Sequence, residues 1–156
     1  MNETVHLLQQ LVALLNQHYR LNLEPEEGQR CAFVDEEGTH FQLEQSTKDA
    51  ITLTADIGKI SASEGDRLLD LLLFNADEVV EGRCIALSQD HSTLLLLATL
   101  NADTIENTGP DTWLTPFIIR ARALVHTLKV GGRLSEAKLS AFGQQVKPNL
   151  ALMNWG

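Results

Sequence analysis

Residues 68–76 read LLDLLLFNA, and this run has the pattern of a helix that is apolar almost all round. At about 100° per residue on a helix, its leucines and Phe74 leave only a narrow polar strip near Asp70. A helix that is apolar on nearly every side has to be buried on nearly every side. In a chain of 156 residues a second subunit supplies that burial more easily than the remaining elements do, so the run predicts a homodimer.

A hairpin follows this helix, which we place at residues 64–76. Arg83–Ser88 and Thr93–Leu100 read as its two strands, with a polar turn between them. In the second strand even-numbered leucines share one face, and Leu95 and Leu97 share the other. Because both faces are apolar, one is expected to cover the core and the other to be a contact surface.

A helix and three strands precede the run. Val5–Tyr19 carries two apolar stripes that together cover about half of the helix circumference. Either a second apolar neighbour or a deeply seated helix accounts for that width, and both alternatives stay open. The segments Arg30–Val34, His40–Glu44 and Ile51–Ile57 follow, and the last two alternate between apolar and polar residues. Such alternation is typical of antiparallel strands with one covered face.

The last helix is predicted from Thr112 or Thr115 to Leu128, with Arg120 and Arg122 on its polar face. Pro116 is expected only in its first turn. A short helix is expected at Ser135–Gln145, followed by a tail.

The predicted order is therefore α-β-β-β-α-β-β-α. It describes an α+β fold in a single domain, with an antiparallel sheet packed by helices, at residues 1–128. Residues 129–156 are interpreted as a C-terminal extension.

The charge of the chain limits its partners. Twelve basic and 21 acidic residues give a formal charge of −9 and a pI near 4.9. This field repels phosphate backbones and anionic lipid surfaces, so neither nucleic acid nor a membrane is an expected partner. It suits either solubility alone or a partner with basic segments.

The expected cellular location of the protein follows from its N-terminal sequence and from the length of its apolar runs. We find no secretory signal and no apolar run near the roughly 20 residues of a membrane span, so a cytoplasmic protein is expected. Cys31 and Cys84 are then expected to be free, half-buried strand residues.

Catalytic motifs are not found in the sequence. Asp90-His91-Ser92 places an acid, a base and a hydroxyl side by side, but neighbours on a tight turn diverge and cannot form a relay. The five histidines lack metal-ligand spacing, and Gly131-Gly132-Arg133 lacks the context of a phosphate loop. We therefore expect no enzyme activity, no metal and no cofactor.

This organisation resembles the class I type III secretion chaperones, the Tir-chaperone family. The most specific features are the leucine-rich helix ending in Leu72-Leu73-Phe74-Asn75-Ala76 and the strands Cys84-Ile85-Ala86-Leu87 and Leu94-Leu95-Leu96-Leu97. The resemblance covers residues 3 to 128. It implies a bacterial, cytoplasmic homodimer formed through the second helix, around which a secreted effector winds in extended form.

The resemblance also implies where each partner binds. The dimer interface is expected at Leu68, Leu69, Leu72, Leu73, Leu95 and Leu97. The N-terminal segment of the effector is expected on the first helix and the early strands, at Leu7, Leu11, Leu14, Phe33 and Phe41. A contact with the secretion ATPase stays open.

Two other classes of function remain as alternatives. One is a related α+β domain of the YbjN or roadblock kind, which would act as an assembly or regulatory scaffold. The other is a small-molecule-binding domain or an undetected enzyme. A tightly retained small ligand would favour the latter.

Overall fold

The chain combines helices with an antiparallel sheet. The computed structural model describes residues 3–25, 30–60, 65–78, 82–89, 92–137 and 153–154. The elements are α1 (Glu3–Tyr19), β1 (Arg30–Val34), β2 (His40–Thr47), β3 (Ala50–Lys59), α2 (Gly65–Glu78), β4 (Arg83–Leu87), β5 (Thr93–Asn101), α3 (Ala102–Asn107), α4 (Pro110–Lys129), a 3-10 turn (Leu134–Glu136) and β6 (Met153–Asn154). The predicted α+β class is confirmed.

Five antiparallel strands form the sheet, and the two-residue strand β6 adds to one edge. The strand order is β4-β5-β3-β2-β1-β6. β4 and β1 are thus the outer strands of the five-stranded sheet. β5 lies beside β3 although α2 and β4 separate them in sequence.

The alternation of side chains determines which face of the sheet is covered. In β3, Ile51, Leu53, Ala55 and Ile57 are buried, while the residues between them are half-buried. α1 and α4 pack on the covered face. There the rings of Phe33 and Phe41 stack with centroids 5.3 Å apart, and Phe117 of α4 meets Phe41 edge to face at 6.3 Å.

Glycine permits the close approach of α4 to β3. Gly58 lies at a bulge in β3 with φ at +147°. A Cβ atom there would lie 2.6 Å from Cδ2 of Leu128. Both the backbone angle and the space therefore favour a residue without a side chain.

The region before α4 differs from the prediction. Residues 102–107 form α3, ahead of the predicted last helix, and the Asn101 side chain caps it by accepting a hydrogen bond from the Thr104 amide at 2.8 Å. α4 begins at Pro110, so Pro116 lies inside the helix and not in its first turn. Arg120 was expected on the polar face of α4, yet it is buried.

The start of the C-terminal extension packs against the domain. Leu134 is fully buried and joins the hydrophobic core. Of the expected helix Ser135–Gln145, the structure has a 3-10 turn at Leu134–Glu136, and residues 138–145 lie outside the described residues. The boundary at residue 128 stays a prediction.

Candidate partner-binding surfaces

The leucines of α2 divide between the core and the outer surface. Leu71 and Phe74 are buried against the domain. The other four, Leu68, Leu69, Leu72 and Leu73, are between 46% and 67% exposed. Residues three and four apart on a helix are neighbours, so these four form one continuous apolar face, which we call the α2 face. A single chain leaves that face in contact with water.

Asp70, on the narrow polar strip of α2, points inward. Its carboxylate accepts hydrogen bonds from the Ser135 hydroxyl at 2.6 Å, the amides of Leu134 and Ser135 at 2.6 and 2.9 Å, and the Arg67 guanidinium at 2.9 Å. Burial alone would raise the pKa of Asp70, but these bonds together lower it below its ordinary value. The carboxylate thus ties α2 to the residues that follow α4.

A second buried acid secures the other end of α2. Glu78 pairs with Arg120 of α4 at 2.5 Å and with Arg83 of β4 at 2.9 Å. Arg120 also donates to the Ala137 carbonyl at 2.9 Å, and its guanidinium carbon lies 5.0 Å from the centre of the Phe74 ring. The two inward-facing carboxylates, with Leu71 and Phe74, therefore define the inner side of α2, and the α2 face lies on its outer side.

The side chain of Asn75 occupies the free edge of β4. Its amide nitrogen donates to the Ile85 carbonyl at 3.0 Å, and its oxygen accepts from the Ile85 amide at 2.7 Å. These two bonds satisfy the backbone groups of Ile85 that point away from β5. The Asn-Ala feature of the sequence motif therefore has a structural role, the joining of α2 to the sheet.

The uncovered face of the sheet is apolar near β4. Leu95 and Leu97 are half-buried there, and Ala86 and Cys84 lie directly opposite them on β4. Towards β2 the same face becomes polar, with Thr52, Thr54 and Asp56 at successive positions of β3. The six predicted dimer residues thus lie on two surfaces, the α2 face and the uncovered face of β5.

The five residues predicted to bind a client differ in access. Leu7, Leu11, Phe33 and Phe41 are buried in the core of the chain, and Leu14 is 36% exposed. Their role in client binding stays a prediction. Within the single chain only Leu14 of this set presents its side chain to solvent.

The outer edge of β1 is paired with the end of the chain. Phe33 lies opposite Asn154, and Val34 lies opposite Met153, in antiparallel register. Sequence reasoning missed this strand because two residues show no periodicity.

The cysteines differ in chemical character. Both are free thiols in strands, as expected, but Cys31 is buried and Cys84 is exposed, and neither is half-buried. Burial raises the pKa of the Cys31 thiol to about 11. Cys31 is therefore a packing residue and a poor nucleophile at neutral pH.

Across the described ranges no three residues among His, Cys, Asp and Glu gather as a metal site would require. Among the described helices, none combines the length and the apolar character needed to cross a membrane. Asp90 and His91 lie outside the described residues.

Comparison with known proteins gives the fold a context. No protein-family model and no curated protein sequence matches the chain. Several solved structures match the fold of the chain. A chain from the HopA1–SchA chaperone–effector complex is 10% identical, with a TM-score of 0.58 over 85% of this chain and 98% of that one.

Two further structures match with similar quality. One holds the Yersinia pestis type III secretion chaperone SycH with a stable fragment of YscM2, at 20% identity and TM-score 0.55, over 74% of this chain and 97% of that one. The other is the ExsC–ExsE complex, at 15% identity and TM-score 0.55, over 94% and 100%. The resemblance to type III secretion chaperones is thus confirmed at the level of the fold.

Proposed function

We propose that this protein is a bacterial cytoplasmic chaperone that binds the N-terminal segment of a type III secreted effector. It acts as a homodimer and keeps the effector soluble and competent for secretion. It works by binding alone, without catalysis or a cofactor. The observation that carries this proposal is the fold, which matches chains of chaperone–effector complexes over nearly their whole length.

The α2 face supports the homodimer. Four leucines side by side on one helix would lose contact with water if the same helix of a second copy packed against them. Full burial of a leucine side chain contributes about 1.5–3 kcal/mol. Four partly exposed leucines from each subunit therefore provide a substantial driving force for pairing.

The net charge and the possibility of strand pairing at a sheet edge support a client that binds in extended form. The net charge of −9 attracts a basic segment from a distance. An extended segment pairs with a sheet edge through main-chain hydrogen bonds and places alternate side chains in apolar contacts. On α1 we assign the direct contact to Leu14, while Leu7, Leu11, Phe33 and Phe41 support that surface from the core beneath it.

The dimer is tested by light scattering. The full chain is expected at about twice 17.2 kDa at micromolar concentration. Leu72→Asp places a charge in the α2 face and is expected to give a folded monomer. Leu14→Asp is the matched control, a leucine to aspartate change on another helix, and is expected to keep the dimer mass. A wild-type monomer at these concentrations would refute the homodimer.

The client is tested by affinity isolation from native cytosol followed by mass spectrometry. Wild type is expected to retain a secreted protein through its N-terminal segment, and hydrogen exchange of that segment should show protection spread along an extended stretch. Leu14→Asp is expected to weaken this retention while thermal stability and dimer mass stay unchanged. Recovery of a folded partner that lacks a protected N-terminal segment would favour the scaffold alternative instead.

A further inference from the structure

The two edges of the sheet are occupied in different ways. At β4 the occupant is the Asn75 side chain, held by a helix that Asp70 and Glu78 anchor to the domain. At β1 the occupant is backbone, the two residues Met153 and Asn154. Of these two edges, the β1 edge is therefore the one that is paired with another strand through backbone groups.

The direction of the β1 amides identifies which groups β6 engages. The Asp35 amide donates to the Thr39 carbonyl at 3.1 Å, on the β2 side. Amides of successive residues in a strand point in opposite directions. The Phe33 amide is therefore directed to β2 and the Val34 amide to β6.

The length of β6 limits how firmly it holds this edge. β1 has five residues, and β6 covers two of them. A longer strand pairing along the whole of β1 makes more main-chain hydrogen bonds than β6 does. It would therefore displace β6 by competing for the same backbone groups.

We propose that β6 is an internal placeholder: it occupies the β1 edge within the same chain and is displaced when a client strand binds there. The client's part in this rests on the proposed function, but the occupancy itself does not. Only molecules whose β1 edge is vacant can bind an incoming strand. Because these molecules are only part of the population, the apparent affinity for that strand is reduced in proportion to their fraction. β6 thus raises the concentration of an incoming strand that is needed for binding at this edge.

Hydrogen exchange of the full-length protein without a client tests the occupancy. The double substitution Met153→Pro with Asn154→Pro removes the N–H donors of β6 and keeps its carbonyls. Without those donors β6 loses its bond to the Val34 carbonyl, so it is expected to leave the edge and expose the Val34 amide. The matched control, Met153→Ala with Asn154→Ala, keeps the donors. Val34 amide protection is expected to fall about fivefold or more in the proline variant and to persist in the alanine variant, while the Phe33 amide stays protected in both. Equal Val34 exchange in wild type and the proline variant would overturn the proposal.

Displacement is tested with a labelled peptide of the protein's own residues 149–156, NLALMNWG. It is expected to bind the proline variant about fivefold or more tightly than wild type or the alanine variant, because the edge is then vacant. Equal binding to all three proteins would show that β6 does not hold the edge. Neither measurement uses an effector, so failure here leaves the chaperone proposal standing, and failure to capture an effector leaves this inference standing.

Discussion

Helices α1 and α2 both carry wide apolar arcs, yet they meet the rest of the chain in opposite ways. α1 buries Leu8, Leu11 and Leu15 completely. α2 turns four leucines outward and buries two acids, Asp70 and Glu78. Apolar residues therefore mark the inner face of α1 and, for the most part, the outer face of α2.

The difference shows that the width of an apolar arc does not indicate which side of a helix meets its own domain. In α1 the burial of apolar side chains orients the helix, with most of its leucines facing the core. In α2 the orientation depends on partners for Asp70 and Glu78 that come from residues 120, 134 and 135. An outward apolar face is then left available for a second protein.

The largest expected effect comes from removing a leucine from each helix. Leu11→Ala is expected to lower the free energy of unfolding by about 2–5 kcal/mol, because it creates a cavity in the core. Leu72→Ala is expected to change the stability of the monomer by about 0.5 kcal/mol or less. The stability lost through Leu72→Ala should grow with protein concentration, because the substitution weakens the dimer. Urea unfolding at several concentrations separates the two, and a large, concentration-independent loss at Leu72 would contradict the comparison.

A smaller effect is expected from the buried acid at the end of α2. Glu78→Ala leaves Arg120 buried without its carboxylate and is expected to cost about 3 kcal/mol. Glu36, which pairs with Arg122 at 3.2 Å but is half exposed, is the matched control. Glu36→Ala should cost about 1 kcal/mol or less. Similar losses at both positions would mean that Glu78 does not fix α2.

The effect of Asp70 is expected to depend on pH. Its folded pKa is lowered, so its contribution to stability is complete above the unfolded value near 3.9 and is lost as the pH falls through the folded pKa. Asp70→Asn should therefore cost about 2 kcal/mol at neutral pH and progressively less under acid conditions. The exposed Asp77 on the same helix serves as control, since Asp77→Asn should show neither effect. A pH-independent loss at Asp70 would refute the assignment.

The smallest effect concerns thiol reactivity on the uncovered face. Cys84 is exposed and lies opposite Leu97, so it should react readily with a thiol reagent in the monomeric variant Leu72→Asp. If Leu95 and Leu97 belong to the dimer interface, Cys84 should react more slowly in the dimer. Cys31, with a pKa of about 11, should react only after unfolding and serves as the internal control. Equal Cys84 rates in both proteins would confine the interface to the α2 face.

Local patterns predicted much of the fold, and nonlocal polar pairs account for most of the rest. The alternation in β3 and the bounds of β1 followed from period-two patterns that residues a few positions apart determine. The inward position of Arg120 could not be predicted, because its partners Glu78 and Ala137 come from other parts of the chain. The buried Asp70 was missed for the same reason, since Leu134 and Ser135 satisfy it from a distance in sequence.

The bond pair between Asn75 and Ile85 also restricts what kind of assembly the protein can build. A sheet with two open edges allows β4 of one copy to pair with β1 of the next, and such a head-to-tail contact repeats without closing into open fibres. Because the Ile85 backbone groups are already bonded to Asn75, the β4 edge is less able to pair with β1 of another copy. One carboxamide therefore works against open-ended growth of the sheet from copy to copy.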